Sequence, residues 1–330
     1  MHSKSLFKPA QYLLPLALLL LQAVPLEAQS FQAARQGIIA SLAARDQAYS
    51  TSNLIPFLQT YAPGWTVTNL SDRSSNFRTY SASIAQTFAY YPSGLKGGMA
   101  SKLQSLSTGK FGVDAIVYTR SAYPKRRLKL GNYYYYSRST TGDQIWAVSG
   151  GHWQELREKF LVDRVTYSLK PLPDDKSEPV TPANNISSST ESHDIATVLN
   201  ARVDAYKHRN LAAYAQTLSI NFTLTDVVGR TESYKQVIAA VGNTFAKHPA
   251  ESGRGVVYKI LSASSSKIGL DAVIRVRYVY PSKHTKTGTC YVYRTLINES
   301  SWAKSGRDWQ EHSDHLIYEQ SIYSSKPIAQ

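Results

Sequence analysis

Two stretches of the chain are near copies of each other. Trp146-Ala-Val-Ser-Gly-Gly-His-Trp-Gln-Glu155 returns 156 residues later as Trp302-Ala-Lys-Ser-Gly-Arg-Asp-Trp-Gln-Glu311. In each copy a Ser-Gly turn separates two runs that carry a tryptophan, which is the pattern of a β-hairpin. A repeat of this length indicates that the chain contains an internal duplication.

Further matches extend the repeat over most of the chain. At an offset of 157 residues, Asn53-Leu54 matches Asn210-Leu211, Trp65-Thr-Val-Thr68 matches Phe222-Thr-Leu-Thr225, and Tyr134 and Tyr136 match Tyr291 and Tyr293. The offset is 156 from Trp146 onward. We therefore predict that the second copy lacks one residue between the positions of Tyr136 and Trp146.

The segment between the two copies has the composition of a linker. Residues 170–185 contain four prolines among polar residues, which neither a helix nor a β-ladder tolerates. This boundary predicts one domain over residues 30–170, a linker over 171–190 and a second domain over 191–326.

Each copy predicts helices first and strands afterwards. Apolar residues at helical spacing open both copies: Ile38, Leu42 and Ala48 in the first, and Ile195, Leu199 and Ala205 in the second. Alternating runs such as Trp65–Asn69 and Tyr133–Arg138 follow, separated by glycine-containing turns. The order predicts an α+β fold in which helices pack on an antiparallel sheet.

Composition narrows the classes of function. The formal net charge is +14, but the densest basic cluster, Lys125-Arg126-Arg127, has the pattern of a hairpin tip, and we predict no nucleic-acid partner. Cys290 is the single cysteine, which excludes an intrachain disulfide and is typical of a core residue. Histidine, cysteine and acidic residues show no metal-ligand spacing, so neither a metal nor a cofactor is predicted.

The N-terminus has the pattern of a secretory signal. Lys4 and Lys8 precede the apolar stretch Tyr12–Val24, and Ala28 provides a small residue at a cleavage point. We predict a signal peptide over residues 1–28 and a secreted or periplasmic protein. The apolar run is short for a membrane span, so no membrane insertion is expected after cleavage.

The ordered motifs of each copy resemble the NTF2-like superfamily, in particular its SnoaL-like and ketosteroid-isomerase-like branch. The resemblance rests on the Asn-Leu step after the first helix, the Trp/Phe-Thr-X-Thr strand, the Gly-X-Asp-Ala turn and the closing tryptophan hairpin. It implies a curved sheet wrapped against helices, which leaves a cone-shaped cavity. It also implies that two such domains pair, here as a pseudo-dimer within one chain.

The resemblance places catalytic groups at particular positions. The branch's general base falls at Asp226, where the first copy has Asn69, and its oxyanion-donating tyrosine falls at Arg202 and Arg45. A carboxylate in an apolar cone suits proton transfer to and from carbon, and His315 is a candidate partner for Asp226. The missing tyrosine leaves this mechanism incomplete.

The tyrosine-rich strands favour a pocket for a small apolar or aromatic ligand. The residues predicted to line it are Tyr49, Trp65, Asn69, Tyr118, Tyr134, Tyr206, Phe222, Arg275 and Tyr291. Non-catalytic binding of such a ligand is the leading hypothesis. The alternatives are an isomerase- or dehydratase-type enzyme that uses Asp226, and an interaction module that docks a protein on the outer face of the sheet.

Overall fold

The computed structural model describes residues 26–90, 98–126, 132–170, 190–247, 255–267, 269–285, 288–326 and 328. Residues 26–170 are called the first half below, and residues 190–326 the second half. The predicted signal segment and linker therefore lie almost wholly outside the described residues. Within the described residues, none of the helices is long and apolar enough to span a membrane.

Among the described residues of the first half, three helices and six strands are present. In chain order they are α1 (Leu26–Ser50), α2 (Leu54–Gln59), β1 (Tyr61–Thr68), β2 (Ser74–Asn76), α3 (Phe77–Ala89), β3 (Gly98–Gly109), β4 (Gly112–Arg126), β5 (Tyr133–Ser149) and β6 (His152–Ser168).

The second half has the same order of elements. These are α4 (Thr190–Lys207), α5 (Leu211–Gln216), β7 (Leu218–Thr225), β8 (Thr231–Ser233), α6 (Tyr234–Lys247), β9 (Gly255–Ser265), β10 (Leu270–Thr285), β11 (Gly288–Ser305) and β12 (Asp308–Ser324). The predicted α+β order of helices before a meandering sheet is confirmed in both halves.

Apolar spacing and capping account for the helices. Ala34, Ile38 and Leu42 repeat at intervals of four and are buried against the sheet. Asn76 caps α3, because its side chain accepts a hydrogen bond from the backbone N–H of Thr79 at 2.9 Å. Helix α1 begins two residues before the predicted cleavage point at Ala28, and cleavage itself stays a prediction.

The strands of both halves form one continuous curled sheet. Its order is β3-β4-β5-β6-β12-β11-β10-β9, and β6 pairs with β12 in antiparallel orientation at the centre. Strands β1 and β7 run parallel to the first parts of β6 and β12. The sheet therefore curls over the helices of each half and is shared between the halves.

The central β6–β12 ladder is symmetric. Val162 pairs with Ser324, and Ser168 pairs with Tyr318. Val162 and Tyr318 occupy equivalent positions in the two halves, as do Ser168 and Ser324, so exchanging the halves maps this ladder onto itself. A local two-fold axis passes near the Val165–Ser321 pair, as at an isologous dimer interface.

The ladder registers correct one detail of the sequence alignment. Tyr123 pairs with Tyr136, whereas its counterpart Tyr280 pairs with Val292. The offset of 156 therefore already applies at Tyr136, and the missing residue falls in the β4–β5 hairpin. The predicted position of the deletion was wrong, and Tyr291 corresponds to Tyr135 instead of Tyr134. A shift of one residue moves a side chain to the other face of a sheet.

Two equivalent glycines allow close strand contacts. Gly112 opens β4 with a φ angle of +153°, and Gly269 precedes β10 with a φ angle of +152°. A Cβ atom at either position would overlap a backbone carbonyl oxygen, that of Trp146 or Trp302. Backbone atoms cannot rotate away as a side chain can, so both positions require glycine.

We expect Gly112→Ala and Gly269→Ala each to lower the free energy of unfolding by on the order of 2–4 kcal/mol. Gly98→Ala and Gly255→Ala are matched controls at the first residues of β3 and β9, where no atom lies within 4 Å of an added Cβ. Their effect should stay within about 0.5 kcal/mol. Urea unfolding monitored by tryptophan fluorescence measures all four. Equal losses for controls and test variants would contradict the assignment.

Candidate functional site

Each half encloses a cavity between its helices and the concave face of the sheet. The first cavity has a volume of about 430 Å³ and the second about 380 Å³. Equivalent elements line both: the first and third helices of each half, the short first strand and the long strands of the meander. The two cavities are the candidate functional sites.

A buried ion pair forms the floor of the first cavity. The Arg45 guanidinium on α1 lies 2.8 Å from a carboxylate oxygen of Glu155 on β6, and its Nε donates to the Thr60 hydroxyl at 3.0 Å. The other Glu155 oxygen accepts a hydrogen bond from the Trp65 indole at 2.7 Å. The guanidinium also lies 4.0 Å above the centre of the Tyr61 ring. Every polar group of the pair is thus engaged.

An equivalent ion pair forms the floor of the second cavity, but it has one hydrogen-bond donor fewer. Arg202 lies 2.7 Å from Glu311, and its Nε donates to the Thr217 hydroxyl at 2.9 Å. Phe222 replaces Trp65 and has no N–H to donate. Burial raises the pKa of both glutamates, and the adjacent guanidinium opposes the rise.

A second acid projects into each cavity beside the ion pair. Glu158 accepts a hydrogen bond from the Gln144 side chain at 2.9 Å, and Gln144 in turn accepts one from the Trp146 indole at 3.0 Å. In the second half, Asp314 accepts a hydrogen bond from the Asn298 side chain at 2.6 Å. Sequence reasoning missed both acid–amide pairs.

The surroundings of Glu158 and Asp314 favour the protonated form of each side chain. Burial and the nearby charge of Glu155 raise the pKa of Glu158 to about 8, so the side chain is largely protonated at neutral pH. Burial and the charge of Glu311 likewise raise the pKa of Asp314 well above its usual range. A protonated acid can donate a hydrogen bond to a ligand that enters the cavity.

The second acid–amide pair is incompletely satisfied. Asn298 Oδ1 and Asp314 Oδ1 are both buried and have no hydrogen-bond partner among the described residues. Both side chains line the second cavity. Two buried oxygens without a hydrogen-bond partner at a cavity wall favour a polar group of a ligand, or a water, that can hydrogen-bond to them.

A second ion pair recurs nearer the middle of the sheet. Arg138 makes two hydrogen bonds with Asp163, at 2.9 and 2.8 Å. Its counterpart Arg294 lies 2.9 Å from Glu319. Both arginines line their cavities. The signal for these groups was present in the sequence, since the acids at 155, 158 and 163 recur at 311, 314 and 319.

Six of the predicted ligand-site and catalytic residues line the cavities. Tyr49, Trp65 and Asn69 line the first, and Tyr206, Phe222 and Asp226 line the second. Their participation in ligand binding stays a prediction. Among the described residues, no three histidine, cysteine, aspartate or glutamate side chains are grouped as metal ligands.

Tyr118 and Arg275 lie outside the cavities, contrary to expectation. They occupy equivalent positions on β4 and β10. On β4, Thr119, Ser121 and Tyr123 line the first cavity, so Tyr118 lies on the opposite face by strand alternation. The same alternation separates Arg275 from the cavity-lining Val276.

Tyr134 and Tyr291 also lie outside the cavity walls. Tyr134 lies on the same face of β5 as the cavity-lining Tyr136. It is nevertheless buried in the apolar cluster of the second half, with its ring centre 6.1 Å from that of Tyr167. Tyr291 is displaced by the corrected register, which places it opposite Ser324 and not in the position of Tyr134.

The expected Asp226–His315 couple is not supported by the cavity geometry. The Asp226 carboxylate accepts hydrogen bonds from the Arg230 backbone N–H at 2.8 Å and from its Nε at 2.6 Å. His315 is absent from the cavity lining, and its Nδ1 lies 3.8 Å from Glu299. Asp314 lines the cavity, and its neighbour on the strand therefore points the other way.

Arg45→Met and Arg202→Met each leave a buried carboxylate without its cation. We expect each to lower the free energy of unfolding by about 3–5 kcal/mol, with the larger loss for Arg202→Met because Glu155 keeps the Trp65 hydrogen bond and Glu311 has no such donor. Replacing both partners, as in Arg45→Met with Glu155→Leu, should cost less than the sum of the single changes. Urea unfolding measures this cycle, and additive losses would contradict it.

Glu158→Gln removes an acid whose folded-state pKa of about 8 exceeds its usual value of 4.5. The stability that this group contributes is present below pH 4.5 and is lost as the pH rises through about 8. Between pH 5 and pH 8.5, the wild type should therefore lose on the order of 4 kcal/mol more unfolding free energy than the variant. Asp143→Asn, at an exposed site on β5, is the control and should keep the wild-type slope. Parallel slopes for wild type and Glu158→Gln would contradict the assignment.

Solved structures of three proteins illustrate what the fold is similar to. An NTF-2 like protein of unknown function from Shewanella oneidensis is 21% identical with a TM-score of 0.27, over 38% of this chain and 97% of that protein. A ketosteroid isomerase-like protein from Erwinia carotovora is 14% identical with a TM-score of 0.27, over 38% and 92%. A putative scytalone dehydratase from Novosphingobium aromaticivorans is 8% identical with a TM-score of 0.30, over 40% and 85%.

No protein-family model matches the chain, and no curated protein matches its sequence. The structural neighbours thus include NTF2-like and ketosteroid isomerase-like proteins, the class that the sequence resembles.

Proposed function

We propose that this chain is an exported protein of two tandem NTF2-like domains, each of which binds a small ligand in its cone-shaped cavity. The domains are residues 30–170 and 191–326, with a linker over 171–190. The repeated order of elements and the symmetric β6–β12 ladder support pairing of the two domains as a pseudo-dimer within the chain. The signal pattern of residues 1–28 supports export.

The pair of equivalent cavities is the observation that carries this proposal. Their volumes of about 430 and 380 Å³ fall in the range of small-molecule sites. Aromatic side chains such as Trp65, Tyr61 and Tyr80 form one wall of the first, with ring centres 4.7 to 5.5 Å apart. Glu158 and Gln144 add a few polar atoms to that cavity. An apolar or aromatic body with a polar substituent fits this combination.

Binding without catalysis is favoured over an isomerase- or dehydratase-type reaction. Both Asp226 oxygens accept hydrogen bonds from Arg230, which lowers their availability as a base. Arg202, at the position where the resemblance places the oxyanion donor, is buried against Glu311. Proton transfer in either cavity would instead require Glu158 or Asp314.

The outer sheet face has less support as a docking surface. Large exposed apolar side chains include Phe31 on α1, Ile55 on α2, Phe111 in a turn and Val257 on β9. They are distributed over many different elements along the chain. Docking surfaces more often collect such residues into one patch.

The neutral fluorescent probe N-phenyl-1-naphthylamine tests the proposal by titration. The wild type should bind about two equivalents, one in each cavity. Thr87 and Thr244 occupy equivalent positions on α3 and α6 and line the two cavities. Thr87→Trp and Thr244→Trp should each remove about one equivalent by filling a cavity.

Gln86→Trp and Asn243→Trp are matched controls, because they place the same indole on exposed neighbouring positions of the same helices. Both should retain two equivalents. Binding that all four variants leave unchanged would show that the probe occupies another surface and would refute the proposal. Circular dichroism of each variant verifies that the fold is retained.

A further inference from the structure

The two cavities have the same turn at their exposed rim but different charges. Asn69 and Asp226 occupy equivalent positions at the end of β1 and β7. The backbone N–H of each donates to the carbonyl of the residue four positions on, Arg73 or Arg230, at 3.0 and 2.9 Å. The side-chain oxygen of each accepts the returning backbone N–H, at 3.0 and 2.8 Å. The turn geometry is therefore retained while a carboxylate is exchanged for an amide.

Because the first half has Asn69 where the second has Asp226, the Arg73 guanidinium lacks the ion pair that Arg230 makes with Asp226. Asp226 binds the Arg230 side chain through Nε at 2.6 Å. Asn69 carries no charge, and among the described residues no carboxylate lies within ion-pair distance of Arg73. Arg73 is exposed and lines the first cavity. It is thus a rim cation whose counterpart is neutralised in the second half.

The other charged side chains that line the two cavities increase this difference in charge. Among the residues that the structure describes, three arginines and a single carboxyl group, that of Glu158, line the first cavity. By the same count, three arginines and five carboxyl groups line the second. One of these is Glu232, at the position where the first cavity has Ser75. The charge of Arg45 is balanced beneath the first cavity by Glu155, and that of Arg138 by Asp163. Among the described residues, Arg73 is the arginine of this lining that has no carboxylate within ion-pair distance.

We propose that the first cavity is selective for an aromatic carboxylate, whose anionic group binds Arg73 at the rim while its ring packs against Trp65, and that the second cavity disfavours the same anion. A guanidinium matches a carboxylate in geometry and charge. At the second rim, Asp226 occupies Arg230 and Glu232 would repel the anion, so discrimination arises from repulsion as well as attraction. This inference rests on the proposed ligand-binding function.

Burial keeps Glu158 from opposing such a ligand. Because its pKa is raised to about 8, the group is largely neutral at pH 7 and presents no full negative charge to an anion in the cavity. The selectivity of the first cavity should therefore weaken as the pH rises past 8, when Glu158 ionises.

The probes 2-naphthoate and its neutral analogue 2-naphthamide test this at pH 7 by isothermal titration calorimetry. Thr244→Trp isolates the first cavity, which should bind naphthoate about fivefold more tightly than naphthamide. Thr87→Trp isolates the second, where naphthamide should bind more tightly. Added salt should reduce both preferences.

Reciprocal exchange of the rim residue provides the decisive comparison. In the isolated first cavity, Asn69→Asp should abolish the preference for naphthoate over naphthamide. Asn69→Ser, which keeps a turn-forming oxygen without charge, is the control and should retain the preference. In the isolated second cavity, Asp226→Asn should raise naphthoate affinity about fivefold by releasing Arg230.

The outcomes separate the two proposals. If both probes bind the first cavity equally and Asn69→Asp has no effect, charge selectivity is refuted while ligand binding stands. If naphthoate prefers the second cavity, the inference is likewise refuted. If neither probe nor N-phenyl-1-naphthylamine binds either cavity, the ligand-binding function itself fails. Should Asn69→Asp not fold, Arg73→Gln serves in its place, with the same loss of preference expected.

Discussion

The buried arginine–glutamate pair is the constraint on which each half depends. Arg45 comes from α1, Glu155 from β6, and Thr60 from the junction of α2 and β1, so one guanidinium connects the helical layer to the sheet at three points. A buried charge is tolerated only when its partners are placed correctly. The pair therefore specifies how the sheet approaches the helices, and Arg202 with Glu311 repeats the arrangement.

This constraint also determines the chemistry of the cavities. Glu155 places a carboxylate beneath the wall on which Glu158 lies, and burial together with this like charge raises the pKa of Glu158 so that it retains its proton. Gln144 supports Glu158 from β5, whereas Asn298 supports Asp314 from a different position of β11. Gln144 bonds both Glu158 and the Trp146 indole, whereas the hydroxyl of the equivalent Ser300 accepts from the Trp302 indole at 2.8 Å and donates to the Ala272 carbonyl at 3.2 Å. The amide therefore comes from the position that in the first half is Gly142.

Much of the fold could be predicted from the sequence, because a duplication shows each helix and strand twice. The register of β5 could not, since the run Tyr133–Tyr136 matches its partner almost equally well after a shift of one residue. Because of that ambiguity, the sequence alignment placed Tyr291 on the wrong face of β11. The cavity acids were missed for a different reason. Polar residues in a strand ordinarily indicate its solvent face, and only tertiary packing shows that Glu158 and Asp314 point inward.

The two halves keep the same buried ion pair at the floor of the cavity but differ in the charge of the residues at its rim. The floor carries a buried pair that neither half can lose without leaving an isolated charge, and both halves keep it. The rim residues Asn69 and Asp226 perform the same structural task, since either side chain closes the turn by accepting a backbone N–H. An exchange between them retains the turn but changes the charge at the rim of the cavity. A duplicated domain with a fixed floor and a free rim can therefore acquire two ligand preferences without altering its fold.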